Sequence, residues 1–254
     1  MSAWRLLYIL IVCVIGFTSN VSAETILVIA TGEYPPYVSK NPEDSFLTEV
    51  LYEVGREMGV TFVYKILPWK RVEHAVETLN AWGAMPYVIN PEREKKYYFS
   101  EKLVERRGVF FYYNPSGTHK HIPYAELSDL RGYITGAARG YYYEQALLEA
   151  GLDVEFVTSE EQNFRKLKAG RVDLVTATEA VGAYVIRKLF PLETRNFFTL
   201  SKPLSVAGSH LITSKQYPDT QRLLALFNKA LHTIKANGVY QKILDKHPDV
   251  QPYE

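Results

Sequence analysis

Apolar strand-like runs and helically spaced apolar positions alternate along this chain, and the alternation happens twice. In the first half, Thr25 to Ala30 reads as a strand, and Phe46, Leu47, Val50, Leu51, Val54 and Met58 recur at helical spacing. Thr61 to Ile66 is a second strand, Val72, Ala75, Val76 and Leu79 mark a second helix, and Ala84 to Ile89 is a third strand. This β-α-β-α-β order implies a parallel sheet with helices on its faces. The second half repeats the plan. Tyr133 to Thr135 is a short strand, Tyr143 to Ala150 a helix closed by Gly151, and Asp153 to Val157 a strand. Glu160 to Lys168 is a helix ending at Gly170, and Val172 to Ala177 is a strand.

Two α/β lobes fit this repetition better than one continuous sheet. Gly108 to Tyr113 reads as a strand leaving the first lobe, and Ser209 to Thr213 as a strand after the second. Two such extended crossings make a hinge. Leu223, Leu224, Phe227, Ala230, Leu231 and Ile234 then form an amphipathic helix, and Val239 to Leu244 a shorter one. A chain that returns to its first lobe explains why helices follow the last strand without a third sheet. The expected division is residues 24–109 and 206–254 for the first lobe and 110–205 for the second.

Residues 1–23 read as a secretory signal peptide. Arg5 supplies the positive start, Leu6 to Phe17 is almost wholly apolar, and Val21-Ser22-Ala23 fits the small-x-small cleavage pattern. The single cysteine, Cys13, lies inside that segment, so the mature chain has no thiol for a disulfide, a nucleophile or a metal. Without Arg5 the chain carries 28 basic and 28 acidic side chains, a balance with no general pull toward nucleic acid or anionic membrane. The mature protein is expected to be soluble outside the cytoplasm, in the periplasm.

Three short runs carry candidate chemistry. Gly32-Glu33-Tyr34-Pro35-Pro36-Tyr37 directly follows the first strand. Two prolines cannot continue a strand ladder, so the run is a stiff turn that holds Tyr34 and Tyr37 at the strand's carboxyl end. In open α/β sheets ligands bind at that edge; the alternative is a rigid surface turn with packed tyrosines. Pro68-Trp69-Lys70-Arg71 links the second strand to a helix. Trp69 there serves as an apolar wall or as core, and Arg71 as an anion contact at a helix start. In Asn90-Pro91-Glu92-Arg93, Asn90 fits an N-cap and Pro91 a first helical residue. Arg93 then lies in the first turn, where the helix dipole disfavours a cation. A bidentate grip on a carboxylate would compensate, and a surface ion pair is the alternative.

Taken in order, these runs resemble the extracellular solute-binding proteins of family 3, the periplasmic receptors of amino-acid-type ABC importers. Asp129-Leu130-Arg131-Gly132, Gly170-Arg171-Val172-Asp173 and Asn237-Gly238-Val239-Tyr240 add to the resemblance. It implies a type II periplasmic binding protein fold: two lobes, each a mixed sheet flanked by helices, closing on a ligand. It also implies that Tyr34 stacks on the ligand, Trp69 forms a second wall, and Arg93 binds a carboxylate. Gly140, followed by Tyr141 and Tyr142, matches a glycine turn of the second lobe. A small-molecule ligand and a membrane permease or sensor would be the partners of a monomer with no cofactor.

Several positions depart from the pattern of amino-acid receptors. A hydroxyl residue there is Val88 here, and the aspartate that holds a ligand's ammonium is matched by Thr178, with Glu179 beside it. Pro86 and Tyr87 stand where small polar residues are common. A buried ammonium without its carboxylate is costly. The expected ligand is therefore a small organic anion or an aromatic or cyclic metabolite rather than a standard α-amino acid. A second reading is a dehydratase acting on cyclic carboxylic acids, with Glu179 as general acid and Arg93 holding the substrate. His119-Lys120-His121 supplies two possible metal ligands without a third, and no phosphate loop, dinucleotide fingerprint or nucleophile elbow is present.

Overall fold

The structure, a computed structural model, describes residues 25–250 apart from 140 and 142. The expected signal peptide, Gly140 and Tyr142 lie outside the described residues. The first strand, β1 (Thr25–Thr31), is followed by helix α1 (Phe46–Met58), β2 (Val60–Ile66), helix α2 (Trp69–Glu77) and β3 (Gly83–Tyr87). Helix α1 forms because Phe46, Leu47, Val50, Leu51 and Val54 fall on one face, and all five are buried. It stops at Gly59, whose φ of 69° is the left-handed cap that glycine adopts without steric cost. Strand β1 pairs in parallel with β2 along its whole length and with β3 at Ile29 and Ala30.

After β3 come the short helix α3 (Pro91–Lys96), the three-residue β4 (Tyr97–Phe99) and the long β5 (Val104–Tyr113). The second half supplies β6 (Ile134–Ala138), α4 (Glu144–Glu149), β7 (Asp153–Val157), α5 (Glu160–Lys168) and β8 (Leu174–Thr178). Helix α6 (Glu179–Leu189) follows β8 without a break, then β9 (Phe197–Thr199), β10 (Ser205–Ser214), α7 (Thr220–Ala236) and α8 (Val239–Lys246). The strands form one path, β2-β1-β3-β10-β5-β8-β6-β7, with β4 beside β10 and β9 beside β5.

The path has two halves joined by a two-stranded ribbon. Antiparallel pairs from Gly108–Ser205 to Val104–Ser209 tie β5 to β10. Beyond the ribbon β10 pairs with β3 and β4, while β5 pairs with β8 and β9. Each half has its own core. In the first, Trp82 is fully buried, stacked on Phe62 with ring centroids 5.8 Å apart, and α1, α7 and α8 cover that face. In the second, Phe111 meets Phe164 edge-on at 5.1 Å beneath α5 and α6. Helix α6 serves both: Ala180 and Val181 pack into the first core, Val185 and Ile186 into the second. This is the mixed α/β architecture that the alternation implies. Sequence periodicity missed α6 and the three-residue strands β4 and β9.

Candidate functional site

The carboxyl ends of β1 and β3 meet side by side, and the residues leaving them build a cavity. Thr31, the last residue of β1, is tied to β3 by its hydroxyl, which donates to the Met85 carbonyl at 2.7 Å. The chain then turns tightly, Tyr34 N–H donating to the Val38 carbonyl at 2.7 Å and Val38 N–H to the Tyr34 carbonyl at 3.0 Å. That turn projects Tyr34. Gly32 is required because the Trp69 indole lies over it: a Cβ there would stand 2.7 Å from Trp69 Cδ2 and Nε1. Gly32→Ala should therefore swing the indole out of place, read as a shifted tryptophan emission with the melting temperature lowered by only a few degrees.

Helix α2 contributes Trp69 and, one turn later on the same face, Glu73. From β3 and its exit come Pro86, Tyr87 and Val88; α3 adds Arg93, β5 adds Arg106, and Tyr141 enters from the second half. These residues and Tyr34 line a cavity of about 280 Å³. Its rings stand edge to face, with centroids 6.1 Å apart for both Tyr34–Trp69 and Trp69–Tyr87. Asn90 caps α3 by accepting from Arg93 N–H at 2.8 Å, which fixes where that side chain leaves the helix.

The charges in the cavity are two guanidiniums and one carboxylate. Arg93 donates to Glu73 Oε1 through Nη2 at 2.8 Å and Nε at 3.2 Å, to the Val88 carbonyl at 3.4 Å, and lies 4.7 Å from the Tyr87 ring centroid. Arg106 sits 5.7 Å from the Tyr34 ring centroid and donates to its hydroxyl at 3.4 Å. Among the described residues Arg106 has no carboxylate partner, and its buried Nε has no acceptor. Burial first, and the Glu73 charge second, push the Tyr87 phenol above the usual tyrosine range, so its hydroxyl keeps its proton at neutral pH.

The structure brings Tyr34, Trp69, Tyr87, Arg93 and Tyr141 together and puts Tyr37, Arg71, Thr178 and Glu179 outside the cavity lining. Tyr37 is buried behind Tyr34, stacked on it at 5.5 Å, on the side away from the cavity. Arg71 is exposed and outside the cavity, because two residues along a helix from Trp69 is the opposite face. Thr178 is buried against the Tyr34 hydroxyl at 2.8 Å, a contact that joins the two halves. Glu179 starts α6, faces Arg107 at 3.5 Å, and borders a separate hollow of about 740 Å³ that contains none of the four rings. His119 in that hollow packs on Phe198, ring centroids 4.3 Å apart. Sequence reasoning missed Glu73 and Arg106. The spacing of Glu73 from Trp69 was the available signal; Arg106 and Arg107 are adjacent on a strand, and nothing local says which faces the cavity.

The two halves, joined by the β5–β10 ribbon, carry a ring-walled cavity at the strand ends of the first, with Tyr141 of the second in its lining. The chain belongs to the bacterial extracellular solute-binding proteins, family 3, whose pattern it matches over residues 26–249. It is similar to the ABC transporter arginine-binding protein 1 of Escherichia coli (strain K12), 29% identical over 170 residues. That alignment covers 62% of this chain and 62% of that protein, less than two thirds of its length. Similarity to the L-cystine-binding protein TcyA of Bacillus subtilis (strain 168) is 22% over 233 residues, covering 90% of this chain and 83% of that one. Among solved structures, a histidine kinase sensor domain with similarity to periplasmic binding proteins superposes with a TM-score of 0.72. It is 20% identical and the match covers 88% of this chain and 96% of that one.

Proposed function

We propose that this protein captures a small carboxylate-bearing solute between two lobes and presents the closed form to a membrane transporter or sensor. The lobes are residues 24–109 with 206–254, and 110–205. The observation that carries the reading is the cavity itself: four aromatic rings and two guanidiniums gathered at strand ends, with Tyr141 reaching in from the other half. Ligand contacts from both halves favour closure because they exist only in the closed form. The relatives that bind arginine and cystine support an amino-acid-like or similar carboxylate ligand. Among the described residues Glu73 is the cavity's one carboxylate, and Arg93 already holds it.

Capture is the activity, not turnover. The acid that a dehydratase would use, Glu179, is engaged with Arg107 outside the cavity. The signal peptide would deliver the protein to the periplasm, where it works as a monomer; among the described residues no helix is long and apolar enough to cross a membrane. The test is native mass spectrometry of the protein purified from its own periplasm, followed by melting with the released compound. One small molecule per chain, and a melting temperature raised by that molecule, is the expected result. Release of a chemically altered product on incubation would overturn it in favour of an enzyme.

A further inference from the structure

We infer that the cavity is selective for a solute carrying one net negative charge, a monocarboxylate without an ammonium group, held by Arg106 rather than by Arg93. This rests on the solute-binding reading above and adds the charge class. The cavity holds Arg93, Arg106 and Glu73, a net charge of +1. Arg93 and Glu73 already neutralise each other through two hydrogen bonds to one oxygen. The neighbouring Arg107–Glu179 pair is likewise internal. Among the described residues Arg106 is the cavity's remaining cation: it lies against the Tyr34 ring, donates only to a phenol oxygen there, and keeps a buried Nε without an acceptor.

The charge balance of a closing site sets which solute it tolerates. Water leaves as lobes close, and an uncompensated charge in a drier space is penalised. A monocarboxylate on Arg106 brings the total to zero and breaks no existing pair. A zwitterion leaves the total at +1, and its ammonium must compete with Arg93 for Glu73. A dianion overshoots to −1 unless Glu73 is neutral. Glu73 is therefore a specificity residue: by occupying Arg93 it removes the second cation that a dicarboxylate would need. Trp69, Tyr87 and Tyr141 leave a ring-walled space for an apolar body.

The test uses two sets of probes whose members share a side chain and differ in charge. One is 3-phenylpropanoate, L-phenylalanine and 2-benzylmalonate; the other is pentanoate, L-norvaline and propylmalonate. Affinities are measured by calorimetry on the full mature protein at pH 7.5. In at least one set the monoanion should bind at least about ten-fold more tightly than its zwitterion. Arg106→Gln should cost that monoanion at least about ten-fold, and Arg106→Lys, which keeps the charge, should restore most of it. Glu73→Gln should raise the dianion at least about ten-fold relative to the monoanion, a reversal that misfolding cannot produce. Tighter binding of either zwitterion than its monoanion, or an Arg106→Gln protein with unchanged affinity, overturns the charge assignment and leaves solute capture standing. Binding of none of the six, with no small molecule retained from the periplasm, overturns both.

Discussion

Tyr34→Ala should weaken binding of the retained solute by about 30-fold or more, the effect of removing a central hot-spot ring worth about 2 kcal/mol. The described contacts hold this side chain from four sides. Its ring stacks on Tyr37 at 5.5 Å, meets Trp69 edge-on at 6.1 Å and carries the Arg106 guanidinium at 5.7 Å. Its hydroxyl meets Thr178 from the other half at 2.8 Å. Truncation removes a ligand wall and strips the buried Thr178 hydroxyl of that partner. Tyr34→Phe separates the two roles, keeping the ring and losing the hydroxyl's contacts with Thr178 of the other half and with Arg106. It should cost less than the alanine variant, and most of its loss should appear as faster release, since the closed form is what it weakens. Titration and stopped-flow release with the copurified solute give both numbers; a Tyr34→Ala protein that binds within two-fold of wild type would remove Tyr34 from the site.

The largest loss of stability should come from Trp82→Ala. Trp82 is fully buried, stacked on Phe62 at 5.8 Å and 6.0 Å from Phe227 of α7, so it links the sheet to the helices that cover it. Emptying that site should cost about 3–5 kcal/mol, the usual range for a buried tryptophan. For a chain of this size that lowers the melting temperature by about 6–20 °C. Trp82→Phe should cost much less than the alanine variant. The indole N–H has no acceptor among the described residues, and phenylalanine removes that unsatisfied donor while filling most of the space. Urea or thermal melts followed by circular dichroism measure both variants. Equal losses for alanine and phenylalanine would mean that the indole has a hydrogen bond worth as much as its packing.

Much of the fold was legible because its signals are local. Residues 46–58 form a helix since their apolar spacing allows one buried face, and Gly59 marks where it stops. Asn90 and Pro91 start α3 by capping chemistry that sequence states outright. Helix α6 was not legible: Ala180, Val181, Ala183, Val185 and Ile186 are buried against two cores, so the helix shows no clean polar face to set its period. Within the site, the turn at Tyr34 and the wall at Trp69 came from residues whose backbone geometry is fixed by proline. The partner of Arg93 did not, because Glu73 lies twenty positions earlier and the pair forms only when β3 brings α2 and α3 together. Tyr37 and Thr178 stand close to the site in sequence terms, yet the tight turn faces one inward and the start of α6 buries the other.

Membership of α6 in both cores has a mechanical consequence. In the proposed closure, a rod packed into both bodies stays near the axis of rotation. Atoms near an axle sweep short arcs and those far from it long ones. Tyr184 with Asp44 and Arg187 with Asp249 join α6 to the opposite body along its own length, and these bonds sit at the short radius. Tyr141 belongs to a different segment and borders the ring-walled space. Opening should therefore take Tyr141 out of the cavity while the bonds along α6 hold, and the two bodies stay in register for the next closure.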